Sequence, residues 1–201
     1  MTENQLATVA SGFADPVVQM QSTFRSIMSA LATPGRLMEL SSLPIAPTAL
    51  PPAMTAIVLT LADYETPIWL SRNLASDASV VSFLAFRTGA PVTDDTKSAA
   101  FAIATGLEAL PSLDQFSQGS QEYPDRSATI VLEMKSLAEG PPISLEGPGI
   151  KDRATVRATP LPIEFWNEVT RNRERFPCGV DLILTCGNAL VGLPRSIKVI
   201  E

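Results

Sequence analysis

Two kinds of apolar period alternate along this chain, and no other feature limits its fold as strongly. DPVVQMQSTFRSIMSALATPG, residues 15–35, carries Val17, Met20, Phe24, Ile27, Met28 and Leu31 at three-and-four spacing. Asp15 can cap the segment, Pro16 fits the first helical position, and Pro34 with Gly35 closes it, so an amphipathic helix is expected. SATIVLEM, residues 127–134, is instead a β-branched run of strand length.

The same alternation fills the chain. Arg36 to Leu40 reads as a short strand, and MTAIVLTLAD, opened by Pro51 and Pro52, as a helix apolar nearly all round and therefore buried. TPIWLS suits a strand, DASVVSFLAFRTG a helix stopped by Gly89, FAIAT a buried strand, and Ala109 to Phe116 a short helix or turn. After SATIVLEM, GPPISLEGPGI is expected to return as a hairpin ending in the turn Gly147-Pro148-Gly149, followed by a short strand at Thr155 to Ala158. PLPIEFWNEVTRNRERF reads as a helix beginning after Pro162, with Glu164 in its first turn and Arg171, Arg173 and Arg175 toward its end, as the helix dipole favours. GVDLILTCGNALVGLPRSIKVI places two apolar strands around Gly187 and Asn188. The expectation is one layered α/β domain over residues 1–201 around a mixed sheet, with residues 1–11 as a flexible tail. A chain of 201 residues needs no disulfide or metal to support its core.

Composition matters mainly for what it removes. With no histidine, the chain lacks the usual neutral-pH general base, the imidazole metal ligand and any Ser-His or Cys-His pair. Neither GxxxxGK[ST] nor GxGxxG occurs, and the glycines of Gly147-Pro148-Gly149 read as a structural turn. A net charge of −6 and four scattered lysines argue against a nucleic-acid face. No apolar stretch reaches the ~18 residues of a membrane span and no basic residue precedes Arg25, so a cytoplasmic protein is expected. Cys178 and Cys186 lie eight positions apart along one predicted strand, about 26 Å at strand rise, and are expected to be buried free thiols. Asp63, Glu65, Glu122, Asp125 and Asp181 could share acid and base duties or hold magnesium, but spacing alone assigns none of them.

One stretch stands out. In GSQEYPDRSATIVLEM, residues 119–134, polar side chains crowd the mouth of the clearest strand. Pro124 fixes one backbone angle and prevents a helix, so Glu122, Tyr123, Asp125 and Arg126 are presented from a stiff turn. Two uses fit equally: recognition of a partner or ligand, or an Asp125–Arg126 network that pins the loop. With Arg87 and Asp181, these form the candidate set for ligand or partner contact. No catalytic, cofactor-binding or metal-binding residue is assigned.

Taken in order, GFADPVVQMQSTFRSIMSALATPGR, LTLADYETPIWL, FRTGAPV, GSQEYPDRSATIVLEM, EGPGI, PLPIEFW, RFPCGVDLIL and VGLPRSIKV closely resemble the PhnH family, from roughly residue 12 to 199. The family belongs to the bacterial carbon–phosphorus lyase system of phosphonate catabolism. The resemblance implies a three-layer α/β/α sandwich similar to the large domain of pyridoxal-phosphate transferases, without the Schiff-base lysine and with no cofactor. It implies PhnG, PhnI and PhnJ subunits as partners, a homodimer when isolated, and no nucleic acid or membrane. The function it implies is that of a non-catalytic subunit supporting ATP-dependent formation of ribose 1-alkylphosphonate 5-triphosphate. The alternative is a nucleotide- or phosphonate-binding subunit of the same system, and a degenerate pyridoxal-phosphate enzyme is the third reading.

Overall fold

The computed structural model describes residues 12–107 and 110–200. The expected tail, residues 1–11, and Ala109 lie outside the described residues.

Helix α1 (Pro16–Ala32) starts where its cap dictates, with the Val18 N–H donating to the Asp15 carboxylate at 3.3 Å. Its core face differs from the expected one. Thr23, Ile27 and Ala30 are buried and Met20 and Leu31 are partly so, whereas Val17 and Phe24 stay 82% and 46% exposed and Met28 is exposed as well. The helix has rolled toward its small residues because it sits on a strand backbone: a Cβ on Gly192 would come within 2.6 Å of the Ala30 carbonyl carbon. Only the Thr23 and Ala30 side allows that approach.

Strand β1 (Leu37–Glu39) follows, then helix α2 (Pro52–Leu61), in which every residue from 53 to 59 is buried. Strand β2 (Ile68–Leu70) leads into a single turn, α3 (Arg72–Ala75), which sequence reading missed, and then helix α4 (Ala78–Thr88). The Asp77 carboxylate caps α4, and Gly89 ends it in the left-handed region at φ +71°. Strands β3 (Val92–Thr93), β4 (Phe101–Thr105) and β5 (Thr129–Glu133) come next, with a 3₁₀ turn at Leu113–Gln115 between the last two. The chain closes through β6 (Ile143–Glu146), β7 (Ala154–Val156), α5 (Ile163–Glu174), β8 (Asp181–Cys186), β9 (Ala189–Leu193) and β10 (Lys198–Ile200).

Seven strands form one sheet in the order β1-β9-β8-β5-β4-β2-β3. From β3 to β8 every pairing is parallel, while the hairpin at Gly187 and Asn188 turns β9 antiparallel to β8, and β1 pairs antiparallel with β9 and so runs in the direction of the parallel strands. The sheet is mixed for the reason the sequence offered. The return expected in GPPISLEGPGI does not pair with β5, because β4 and β8 already occupy both of its edges. Strand β6 instead joins β7 and β10 in a separate three-stranded antiparallel sheet, and the Gly147-Pro148-Gly149 turn links β6 to β7.

Strand alternation divides the core. Ile103, Val131 and Ile183 face α1, α2 and α4, while Ala102, Ile130, Leu132, Leu182 and Leu184 face α5 and the small sheet. The architecture is therefore α/β in three layers. The third layer differs from the helical one expected: a single 12-residue helix cannot cover that face, and β6, β7 and β10 cover the rest. Cys186 ends β8, but Cys178 precedes the strand, and both are free and only partly buried. Among the described residues no helix is long and apolar enough to cross a membrane.

Candidate functional site

The parallel strands give the sheet an amino edge and a carboxyl edge, and polar chemistry collects at both. At the amino edge, residues 117–128 form a tight excursion before β5. Gln118 and Ser127 pair as an isolated antiparallel bridge, the Ala128 N–H donates to the Ser117 carbonyl at 2.8 Å, and the Ser117 hydroxyl donates to the Arg126 carbonyl at 2.9 Å. Gly119 permits the bend, since at φ +68° a Cβ there would come within 2.8 Å of the Pro124 carbonyl. Pro124 to Arg126 make a 3₁₀ turn that projects outward.

Four of the candidate residues, Glu122, Tyr123, Asp125 and Arg126, are accordingly brought together and exposed. The Arg126 guanidinium lies 4.1 Å from the centre of the Tyr123 ring, a cation–π pair at the tip. No hydrogen bond or ion pair joins Asp125 to Arg126 among the described residues. Asp181 is close by but employed differently. Its carboxylate is gripped by Arg195, with Nη2 at 2.5 Å and Nε at 3.1 Å, and the Arg195 N–H donates to it at 2.8 Å. The same guanidinium donates to the Pro124 carbonyl at 2.7 Å and to the Ser127 hydroxyl. A pinning network therefore exists, but it is built from Arg195 and Asp181 instead of Asp125 and Arg126. Arg87 lies on the last turn of α4, 5.9 Å from the Phe86 ring and packed over Gly12, on a different element from the 119–127 turn.

Arg195 escaped the sequence reading, although a signal for it was present. A two-residue turn at Gly187 and Asn188 sets Cys186 opposite Ala189 and Leu182 opposite Leu193. One step further, Asp181 meets the chain at Pro194 and Arg195.

At the carboxyl edge a cleft of about 1180 Å³ opens between the segments that follow β2, β4 and β5 and the segment between β7 and α5. Its polar lining includes Arg72, Asn73, Thr105, Glu133 and Lys135, and its apolar walls include Leu107, Met134, Leu161 and three prolines. Parallel register sets Thr105 beside Glu133 and Glu133 beside Thr185, so a polar row crosses the strand ends. Asn73 Nδ2 donates to the Thr105 hydroxyl at 2.5 Å, and the Thr185 hydroxyl donates to the Glu133 carboxylate. Burial pushes the Glu133 carboxyl above the usual carboxylate range, against the pull of the Thr185 hydroxyl and the Gly187 N–H. Burial, and secondarily the charge on Glu133, raises the Cys186 thiol as well, so this cysteine is held in its unreactive form. None of these cleft residues was singled out from sequence.

Fold and edges together define a layered α/β protein with an exposed knob at the amino edge of its sheet and a cleft at the carboxyl edge. The chain matches the family described as "Bacterial phosphonate metabolism protein (PhnH)" over residues 11–200. It is 44% identical over 190 residues to the protein named alpha-D-ribose 1-methylphosphonate 5-triphosphate synthase subunit PhnH of Rhizobium meliloti (strain 1021), covering 94% of each chain. It is 31% identical over 184 residues to the putative C-P lyase subunit protein HtxG of Stutzerimonas stutzeri, covering 90% of this chain and 86% of that one. The chain belongs to the PhnH family.

Proposed function

We propose that this chain is a non-catalytic subunit of a carbon–phosphorus lyase assembly in phosphonate catabolism, supporting formation of ribose 1-alkylphosphonate 5-triphosphate by its sister subunits. The observation that carries the reading is the 44% identity to a subunit of that synthase along 94% of both chains. The absence of histidine supports it, since acid–base or nucleophilic work would have to come from groups less suited to neutral pH.

In this reading the Tyr123–Arg126 knob, with Glu122 and Asp125 beside it, is a contact surface for a neighbouring subunit, and Arg87 belongs to the same contact set. Tyrosine and arginine are, with tryptophan, the residues enriched at energetic centres of interfaces. Asp181 acts indirectly, holding Arg195 and through it the turn. The uncovered apolar stripe of Val17, Phe24 and Met28 on α1 also suits burial in an assembly. PhnG-, PhnI- and PhnJ-type chains are the partners in this reading, with a homodimer as the isolated form, a cytoplasmic location, and kinship of the fold to the pyridoxal-phosphate transferase domain without its lysine.

Co-expression with the neighbouring subunits tests the proposal. A stable complex is expected, weakened by a Tyr123→Ala/Arg126→Ala double variant, while the chain alone leaves ATP and methylphosphonate unchanged. Recovery of the chain only as a free species, or turnover by the isolated chain, would overturn it.

A further inference from the structure

Two half-exposed aromatic rings stand at the amino edge, built alike. Tyr123 is 42% exposed and Phe176 52%. Each precedes a proline, and each carries a guanidinium on its ring: Arg126 lies 4.1 Å from the Tyr123 centre and Arg173 5.0 Å from that of Phe176. One turn hydrogen bond closes each pair, the Arg126 N–H donating to the Tyr123 carbonyl at 3.3 Å and the Phe176 N–H to the Arg173 carbonyl at 3.1 Å.

Both pairs sit on one frame. Arg195 Nη1 donates to the Pro124 carbonyl at 2.7 Å and reaches the Pro177 carbonyl at 3.4 Å, so the segments that follow the two rings meet at a single nitrogen. Gln118 fastens them again, its carbonyl accepting from the Gly179 N–H at 2.9 Å and its side-chain oxygen from Arg175 Nη1 at 3.1 Å. Such bonds order the surface before a partner arrives, which lowers the entropic cost of docking.

The charges around the rings point to the partner's chemistry. Neither Arg126 nor Arg173 has a side-chain hydrogen bond or ion pair among the described residues. A guanidinium stacked on a ring still offers its in-plane N–H donors, which match a carboxylate. Glu122, Asp125 and Glu174 are exposed on the same two segments, and Arg175 is already paired with Asp114 at 3.7 Å. The surface therefore has no surplus of positive charge with which to hold a polyanion. Interleaved signs instead suit a polypeptide surface, whose register they fix.

We propose that the Tyr123–Arg126 and Phe176–Arg173 pairs form one docking surface with two anchors, for a protein partner that presents a carboxylate to each arginine and apolar contact to both rings. The inference rests on the subunit reading for the existence of a partner, and adds to it Phe176, Arg173 and the partner's chemistry.

The complex co-expressed with the neighbouring subunits tests it. Measured well below the Tm of every variant, Phe176→Ala and Arg173→Ala should each raise the Kd of the full chain for those subunits about fivefold or more, as Tyr123→Ala does. Ile163→Ala, at a 62% exposed residue on the opposite end of α5, should leave it unchanged. Arg126→Lys and Arg173→Lys supply the chemical test: with a carbodiimide, which joins an amine to a carboxylate, each introduced amine should be found by mass spectrometry linked to an aspartate or glutamate of the bound partner. Linkage only to carboxylates of this chain, or a Kd that responds to Tyr123→Ala but to neither Phe176→Ala nor Arg173→Ala, would overturn the proposal and leave the subunit reading standing. Failure of the parent chain to form any complex would overturn both.

Discussion

Arg195→Ala is the substitution for which the geometry allows the most explicit forecast. Arg195 donates to both oxygens of Asp181, to the Ser127 hydroxyl and to the Pro124 carbonyl, and the two charged side chains retain only 13% and 22% exposure. Removing one member of a buried ion pair strands the other, at about 3–5 kcal/mol. Here the stranded carboxylate keeps the N–H of residue 195 at 2.8 Å and some access to water, so the lower end, about 3 kcal/mol, is expected. For a chain of this length each kcal/mol moves Tm by about 2–4 °C, which gives a fall of about 6–12 °C.

Chemical and thermal unfolding of Arg195→Ala, Asp181→Asn and their combination measures this directly. The double-mutant cycle should show a coupling of at least about 1 kcal/mol, and Arg195→Lys should fall between parent and alanine because a point charge cannot reproduce the two-oxygen grip. Amide exchange should quicken in residues 119–127, which lose the anchor on the Pro124 carbonyl. An Arg195→Ala protein within about 0.5 kcal/mol of the parent would refute the claim that this pair fastens the amino edge.

The cation–π pair at the knob predicts the opposite pattern: Arg126→Ala should change unfolding stability by less than about 1 kcal/mol, yet weaken recovery of the complex in co-purification. Gly149→Ala should cost at least about 2 kcal/mol in denaturant titration, because its φ of +84° is unfavourable for alanine and a Cβ would invade the Ala32 carbonyl. For Glu133 the sign is set by its raised carboxyl: the folded state holds a proton that the unfolded state gives up near 4.5, so its contribution to stability is lost as pH rises from there through the folded value. Glu133→Gln should therefore gain stability relative to the parent as pH rises through that window, and a difference constant with pH would contradict the desolvation argument.

Much of the fold was legible because its rules are local. Asp15, Gly89, Pro162 and the Gly187-Asn188 turn each place an element boundary through their own backbone preferences, and α1, α2, α4, α5, β8 and β9 appear where those signals stand. The errors came where a distant partner decides. Periodicity gave Val17, Phe24 and Met28 to the core, but the seat of α1 on Gly192 turned the helix toward Thr23 and Ala30. GPPISLEGPGI resembled a return strand, and only the occupation of both β5 edges sends it elsewhere.

The two edges of the sheet show why sites were harder to read than elements. The amino-edge knob is contiguous in sequence, so Glu122, Tyr123, Asp125 and Arg126 could be recognised as a group, and a hairpin register could even have delivered Arg195. The cleft instead draws Arg72, Thr105, Glu133 and Lys135 from three strand ends, joined only by parallel register across β2, β4 and β5. Parallel neighbours are connected by long crossovers with no fixed count of residues, so no spacing in the sequence announces that Thr105 will lie beside Glu133. That register also explains the electrostatics: Glu133 is half-buried because β4 and β8 flank it, and it keeps its place because the Thr185 hydroxyl, carried in by β8, donates to it. A polar row of this kind at the carboxyl ends of parallel strands is costly to build and easily replaced by apolar residues.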